Sequence, residues 1–215
     1  MDPTEFRRWL GREAVVVMAL LVWPALGAAQ LLDSTTQLIT GTTTSTASTL
    51  TGQAAAVRAI TLAGATTLAD TGTLGGAGDA RNASQLTGSV PALLAGEVLH
   101  ATTIGWTDQV ASDAALANLA MNVAGVGISA DFVMATATAV LGAAGSGASL
   151  VENLSINGAP ISVDGSPNQV LAIPGGQVVI NEQRSSPGGM VVNALHVTVD
   201  GVADVVIGAA NAAVQ

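Results

Sequence analysis

The sequence predicts an all-β fold: an antiparallel β-sandwich or jelly-roll-like domain built from serial hairpins and preceded by a signal peptide. Three observations predict it. Apolar and polar residues alternate with period two over much of the chain beyond residue 53, as half-buried strands require. Turn residues such as Asn157-Gly158 and Asp200-Gly201 separate these runs at short intervals. Several short strands at close spacing with turn chemistry between them mark sandwiches and barrels.

The leader comes first. Arg7, Arg8 and Arg12 give a positive start, and an apolar run follows from Ala14 to Leu26, broken by Pro24. Gly27, Ala28 and Ala29 then lead into polar Gln30. Charged head, apolar centre and small-residue exit form the signal-peptide pattern, with cleavage expected after Ala29. The apolar run is shorter than the about 20 residues of a membrane-spanning helix. Arg7-Arg8 leaves the twin-arginine export route open beside the general one. Residues 1–29 are thus the expected membrane-engaging part, acting as an anchor only if uncleaved.

Residues 30–52 form a Thr- and Ser-rich segment, read as a linker or a peripheral strand. A single β-domain is expected over 53–215. Val57, Ala59 and Thr61 alternate with Arg58, Ile60 and Leu62, and the Gly-rich stretch from Thr71 to Arg81 reads as a loop. Val98 to Trp106 is a strand. Leu119, Met121 and Val123 continue the alternation, as do Ile128, Ala130, Phe132 and Met134. Gly142 to Gly147 breaks the chain. Hairpins follow at Asn157-Gly158, at Pro174-Gly175-Gly176 and at Asp200-Gly201, where Asn and Gly tolerate positive φ. The Ala-rich patch Ala114 to Ala120 fits a strand better than a helix, and Ala209 to Ala213 fits either.

Composition narrows function. The chain of 215 residues has a formal net charge of −9, no lysine, no cysteine and no tyrosine. Beyond the leader the only basic residues are Arg58, Arg81 and Arg184. Binding to nucleic acid releases counterions through clustered Lys and Arg, so no nucleic-acid partner is expected. Without cysteine there is no disulfide framework, no thiolate catalysis and no Cys-ligated metal. Trp106 and Phe132 are the only aromatics past the leader, too few for an extended stacking platform.

Candidate chemistry is sparse. His100 and His196 are the only histidines. His196, Thr198 and Asp200 share a face if they lie on one strand, and a His with carboxylates is a metal-ligand set. Asp164, Asp200 and Asp204 flank Gly-containing turns, and such oxygen clusters hold Ca²⁺ in extracellular proteins. Turn chemistry alone also explains Asp beside Gly. His196, Asp200, Asp204 and Asp164 are therefore the metal candidates, Ca²⁺ is the one cofactor they suggest, and no catalytic residue stands out. The Gly72 to Asp79 stretch lacks the lysine of a phosphate loop, and no Gly-x-Ser-x-Gly elbow occurs. Asn82-Ala83-Ser84 and Asn153-Leu154-Ser155 match the N-glycosylation acceptor pattern.

Three runs carry a resemblance: LTGSVPALLAGEVLHATT (86–103), SINGAPISVDGSPNQVLAIPGGQVVINEQ (155–183) and VVNALHVTVDGVADVVIGAA (191–210). Over about residues 54–210 the chain resembles the bacterial choice-of-anchor P family, whose members are exported surface proteins that share one domain and differ in attachment. The resemblance implies a secreted or cell-surface β-domain and brings no catalytic residues. Asn211 to Gln215 show no sorting motif, apolar tail or basic tail, so secretion or noncovalent association is expected. The expected function is structural or adhesive, without catalysis, and the expected partners are other copies or cell-envelope components. One alternative is a self-assembling matrix or filament subunit that uses its N-terminal segment for strand addition. Another is a secreted calcium-dependent glycan binder or hydrolase.

Overall fold

The computed structural model describes residues 48–215. Residues 1–29, expected from the sequence to be a signal peptide, and residues 30–47 lie outside the described residues. The remainder is all-β, with thirteen strands in two antiparallel sheets.

The strands are β1 (Leu50–Thr61), β2 (Gly64–Asp70), β3 (Ala80–Val90), β4 (Leu94–Gly105), β5 (Gln109–Val123), β6 (Val126–Val140) and β7 (Ser146–Glu152). They continue as β8 (Ser155–Ile156), β9 (Ala159–Pro160), β10 (Gln169–Ile173), β11 (Gly176–Ser186), β12 (Gly189–Val199) and β13 (Ala203–Val214). One sheet has the order β10-β11-β12-β13-β1-β2. The other runs β3-β4-β5-β6-β8-β9, with β7 also on β6. Each sheet is largely a meander of sequential hairpins, and β1 closes the first sheet by pairing with the last strand. The sheets face each other through β13 on β5 and β6, β1 on β4 and β5, and β12 on β6 and β7. The arrangement is the sandwich, not the jelly roll, of the two expected forms.

Several sequence expectations shift in detail. The first strand begins at Leu50, inside the stretch read as a linker or a peripheral strand, and Leu50 is buried. Thr49 N donates to Gln215 O at 2.7 Å and Gln215 N returns a bond to Thr49 O, tying that entry point to the last residue. Ala209 to Ala213 lie within β13, not in a helix. Small side chains there fit between two sheets, and tertiary packing overrides the helix propensity of alanine. The break at Gly142 to Gly147 is shorter than expected, because β7 starts at Ser146. The loop from Thr71 to Asp79 is held against the first sheet by Thr71 N to Ala54 O and Leu74 N to Gly52 O, and Leu74 is buried beneath it.

Small residues set the spacing of the sheets. A Cβ on Gly52 would lie 2.7 Å from Val110 Cγ1 and would also overlap the Thr103 hydroxyl. A Cβ on Gly147 would overlap Val192 Cγ2 and lie 2.9 Å from Met190 Cγ. The Ser112 hydroxyl donates across the interface to Asn211 O at 2.7 Å and bonds Thr103 Oγ1 at 2.8 Å, so the buried hydroxyls are satisfied.

A transverse row that includes left-handed residues crosses each sheet. In the first sheet, Ala69, Ala56, Gly208, Ala194 and Asn181 lie opposite one another between paired residues on either side. Ala69, Gly208 and Asn181 have φ of 46°, 64° and 53°. The ladder keeps its register through this row, but the side-chain alternation slips by one. On β12 the buried set changes from Met190, Val192 and Ala194 to Leu195, Val197 and Val199. On β13 it changes from Ala203, Val205 and Ile207 to Gly208, Ala210, Ala212 and Val214. In the second sheet, Val98, Asn118 and Asn153 have φ of 50°, 51° and 53°. Strand β6 there changes from Val126, Ile128 and Ala130 to Val133, Ala135, Ala137 and Ala139. At the slip two consecutive residues face inward on β12 and β13, and two consecutive residues face outward on the fifteen-residue strands β5 and β6.

Candidate functional site

The slip in the first sheet assembles the most connected polar group among the described residues. It lies on the outward face of β11, β12 and β13. His196 follows buried Leu195 and precedes buried Val197, so its ring points away from the core. Its direct register partners are Val179 and Val206. Asp204 pairs with Thr198 and is therefore a diagonal neighbour of His196, within reach of a long side chain. Glu182 pairs with Asn193 on the far side of the slip.

The resulting contacts are short. His196 Nδ1 is 2.8 Å from Glu182 Oε2, and His196 Nε2 is 3.1 Å from Asp204 Oδ1. Asn193 Nδ2 donates to Glu182 Oε2 at 2.6 Å, and Arg184 Nη2 donates to Glu182 Oε1 at 2.5 Å. Burial of Glu182 raises its pKa, but the hydrogen bonds from Asn193 and Arg184 and the charge and hydrogen bond of His196 outweigh it. The Glu182 carboxyl is held below its ordinary range. The His196 ring therefore lies between two carboxyl groups, one against each ring nitrogen.

This geometry determines what the group can do. Both ring nitrogens are engaged by carboxylate oxygens from neighbouring strands. The cluster is a staple across three strands. Among the described residues, no three His, Asp or Glu side chains gather as a metal-ligand set.

The metal candidates read from sequence separate accordingly. Asp200 lies beyond the end of β12, in the turn, where its N donates to Gly175 O. It does not share the His196 face as a strand residue. Asp164 lies between β9 and β10 and accepts from Ser166 N at 2.8 Å, the turn role of an aspartate. Asp204 lies against His196 Nε2, on the opposite side of the ring from Glu182. His100 belongs to the outward face of the other sheet, 4.0 Å from Asp113 Oδ2, and the two histidines point away from each other. Glu182 and Asn193 escaped the sequence reading. The signal that finds them is the Pro187-Gly188 turn, which sets Ser186 against Gly189 and hence Glu182 against Asn193.

Among the acceptor sequences, Asn82 lies exposed on β3, and Asn153 Nδ2 donates to Asp131 Oδ2 at 2.7 Å. Comparison of the chain with family models, with curated proteins and with solved structures gives no match.

Proposed function

We propose that this chain is an exported β-sandwich that acts structurally or in adhesion at the cell surface, without catalysis. The observation that carries the reading is the order of charge, apolar run and small residues over residues 1–29, placed ahead of an all-β domain. The resemblance to the choice-of-anchor P family supports the same reading. So does the His196 cluster, where carboxylates occupy both ring nitrogens and link neighbouring strands.

Expression in a bacterial host with analysis of the culture medium tests it. The expected product outside the cytoplasm begins at Gln30. An intact Met1 on protein retained in the cytoplasm overturns export. Turnover of a glycan or ester panel, lost on substituting a single carboxylate, overturns the non-catalytic role.

A second reading is association between copies, and it is favoured by one sheet edge. Among the described residues, strand β3 ends the second sheet and pairs only with β4.

A further inference from the structure

We infer that the free edge of β3 is the docking site for a second copy of this chain, joined strand to strand about a two-fold axis near Gln85 and Leu86. The inference deepens the second reading above by naming the edge, and it does not depend on where the chain resides.

Four observations carry it. First, β3 is long and unguarded. It spans Ala80–Val90, and past Arg81 at its start, which pairs with Asp79, it contains no proline and no charged residue, the devices by which natural proteins blunt sheet edges. Second, the other edges are short or protected. β2 has seven residues and ends in Asp70, β10 has five, and β9 has two, one of them Pro160. β7 has seven residues and ends in Glu152. Third, charge favours a second copy at this edge. The chain carries a net −9, which opposes self-association elsewhere, yet no acid occurs from Ala80 through Gly96. Fourth, the side chains are self-complementary. Asn82, Ser84, Gln85, Thr87 and Ser89 each carry a donor and an acceptor, so antiparallel pairing with the same strand can satisfy both partners. Leu86 is 80% exposed and the facing Val98 59%, and a two-fold axis at this point merges the two apolar pairs. The contact is isologous and closes as a dimer.

The absence of cysteine makes the test clean, because any single introduced thiol is the only one present. Gln85→Cys and Leu86→Cys are made separately in the full chain, with Val170→Cys on the exposed edge strand β10 as the control. Mild oxidation is expected to give disulfide-linked dimer at one of positions 85 and 86, where strand pairing brings Cα atoms within about 4.4–6.8 Å, and none at 170. Light scattering is expected to give twice the chain mass, halved by Leu86→Lys in a variant whose circular dichroism matches the native chain. A monomeric native chain, equal cross-linking at 170, or a dimer that survives Leu86→Lys in folded protein overturns the inference. If Leu86→Lys does not fold, the cross-linking pattern alone decides. Larger assemblies without cross-linking at 85 or 86 leave self-association standing and overturn β3 as its edge.

Discussion

Glu182 and His196 meet across the β11–β12 ladder with Oε2 2.8 Å from Nδ1, although Asn193 and not His196 is the register partner of Glu182. The contact spans the transverse row where the side-chain alternation slips. Without the slip, Glu182 and His196 would fall on opposite faces of the sheet, because their separation in register is odd. The slip is thus what brings the two charges together, and Asp204 completes the chain of contacts onto β13.

The Glu182 contact gives stability a defined acid limb. Its folded pKa lies below the ordinary 4.5, so the unfolded chain binds more protons as pH falls. The stabilisation is fully present above about pH 4.5 and is lost as pH drops through the lowered folded value. Urea midpoints measured from neutral into acid solution should fall along this limb. Glu182→Gln should flatten it and cost about 1–3 kcal/mol at neutral pH, because His196, Asn193 and Arg184 lose a charged acceptor. An unaltered acid limb in that variant would show that other carboxylates set it.

Val98 should be a site of easy stabilisation. A β-branched residue at φ 50° is strained, and its side chain is 59% exposed, so little burial is lost on removing it. Left-handed backbone costs a non-glycine residue about 1–2 kcal/mol, while glycine costs about 0.5–1 kcal/mol in chain entropy. Val98→Gly should therefore gain about 0.5–1 kcal/mol, the difference of those two terms. Chemical denaturation of the variant beside the native chain checks the sign.

Calcium should not affect folding. Asp164 is engaged in its own turn and Asp204 faces His196, so the carboxylates read from sequence as an oxygen cluster do not gather. Melting curves with added Ca²⁺ and with chelator should superimpose within error. A rise with Ca²⁺ that grows with concentration would reveal a site, since binding to the native state alone raises the midpoint by mass action.

The limits of the sequence reading follow from the same residues. Alternation and turn chemistry made the sandwich and its hairpins legible, because both are local. The staple was not legible, since it depends on loop length and on the slip. A two-residue loop at Asp200-Gly201 would pair Val199 with Val202 and turn Asp204 to the other face. The observed loop is one residue longer, with Val199 opposite Ala203. The slip itself appears in the sequence only as adjacent apolar residues, such as Ala194-Leu195 and Ile207-Gly208, which a period-two reading treats as noise. β3 was hidden for a related reason: as an exposed edge it has no buried face to impose alternation.

Gly208 tests whether the slip row is essential to the packing of the two sheets. Its φ is 64°, and a Cβ there would lie 3.1 Å from Ala194 Cβ, 3.4 Å from Ala135 N and 3.5 Å from Ala114 O. Gly201 has nearly the same φ, 67°, but nothing within 4 Å of the added atom. Alanine at Gly201 should cost only the left-handed strain, about 1–2 kcal/mol. Alanine at Gly208 should cost that strain and also force β13 away from β5 and β6, adding about 1–3 kcal/mol of overpacking. The difference between the two variants isolates the inter-sheet contact, because the backbone penalty cancels. Urea unfolding of both variants measures it. Equal losses would mean that the sheets relax around the extra methyl and that the close approach at Gly208 contributes nothing to stability.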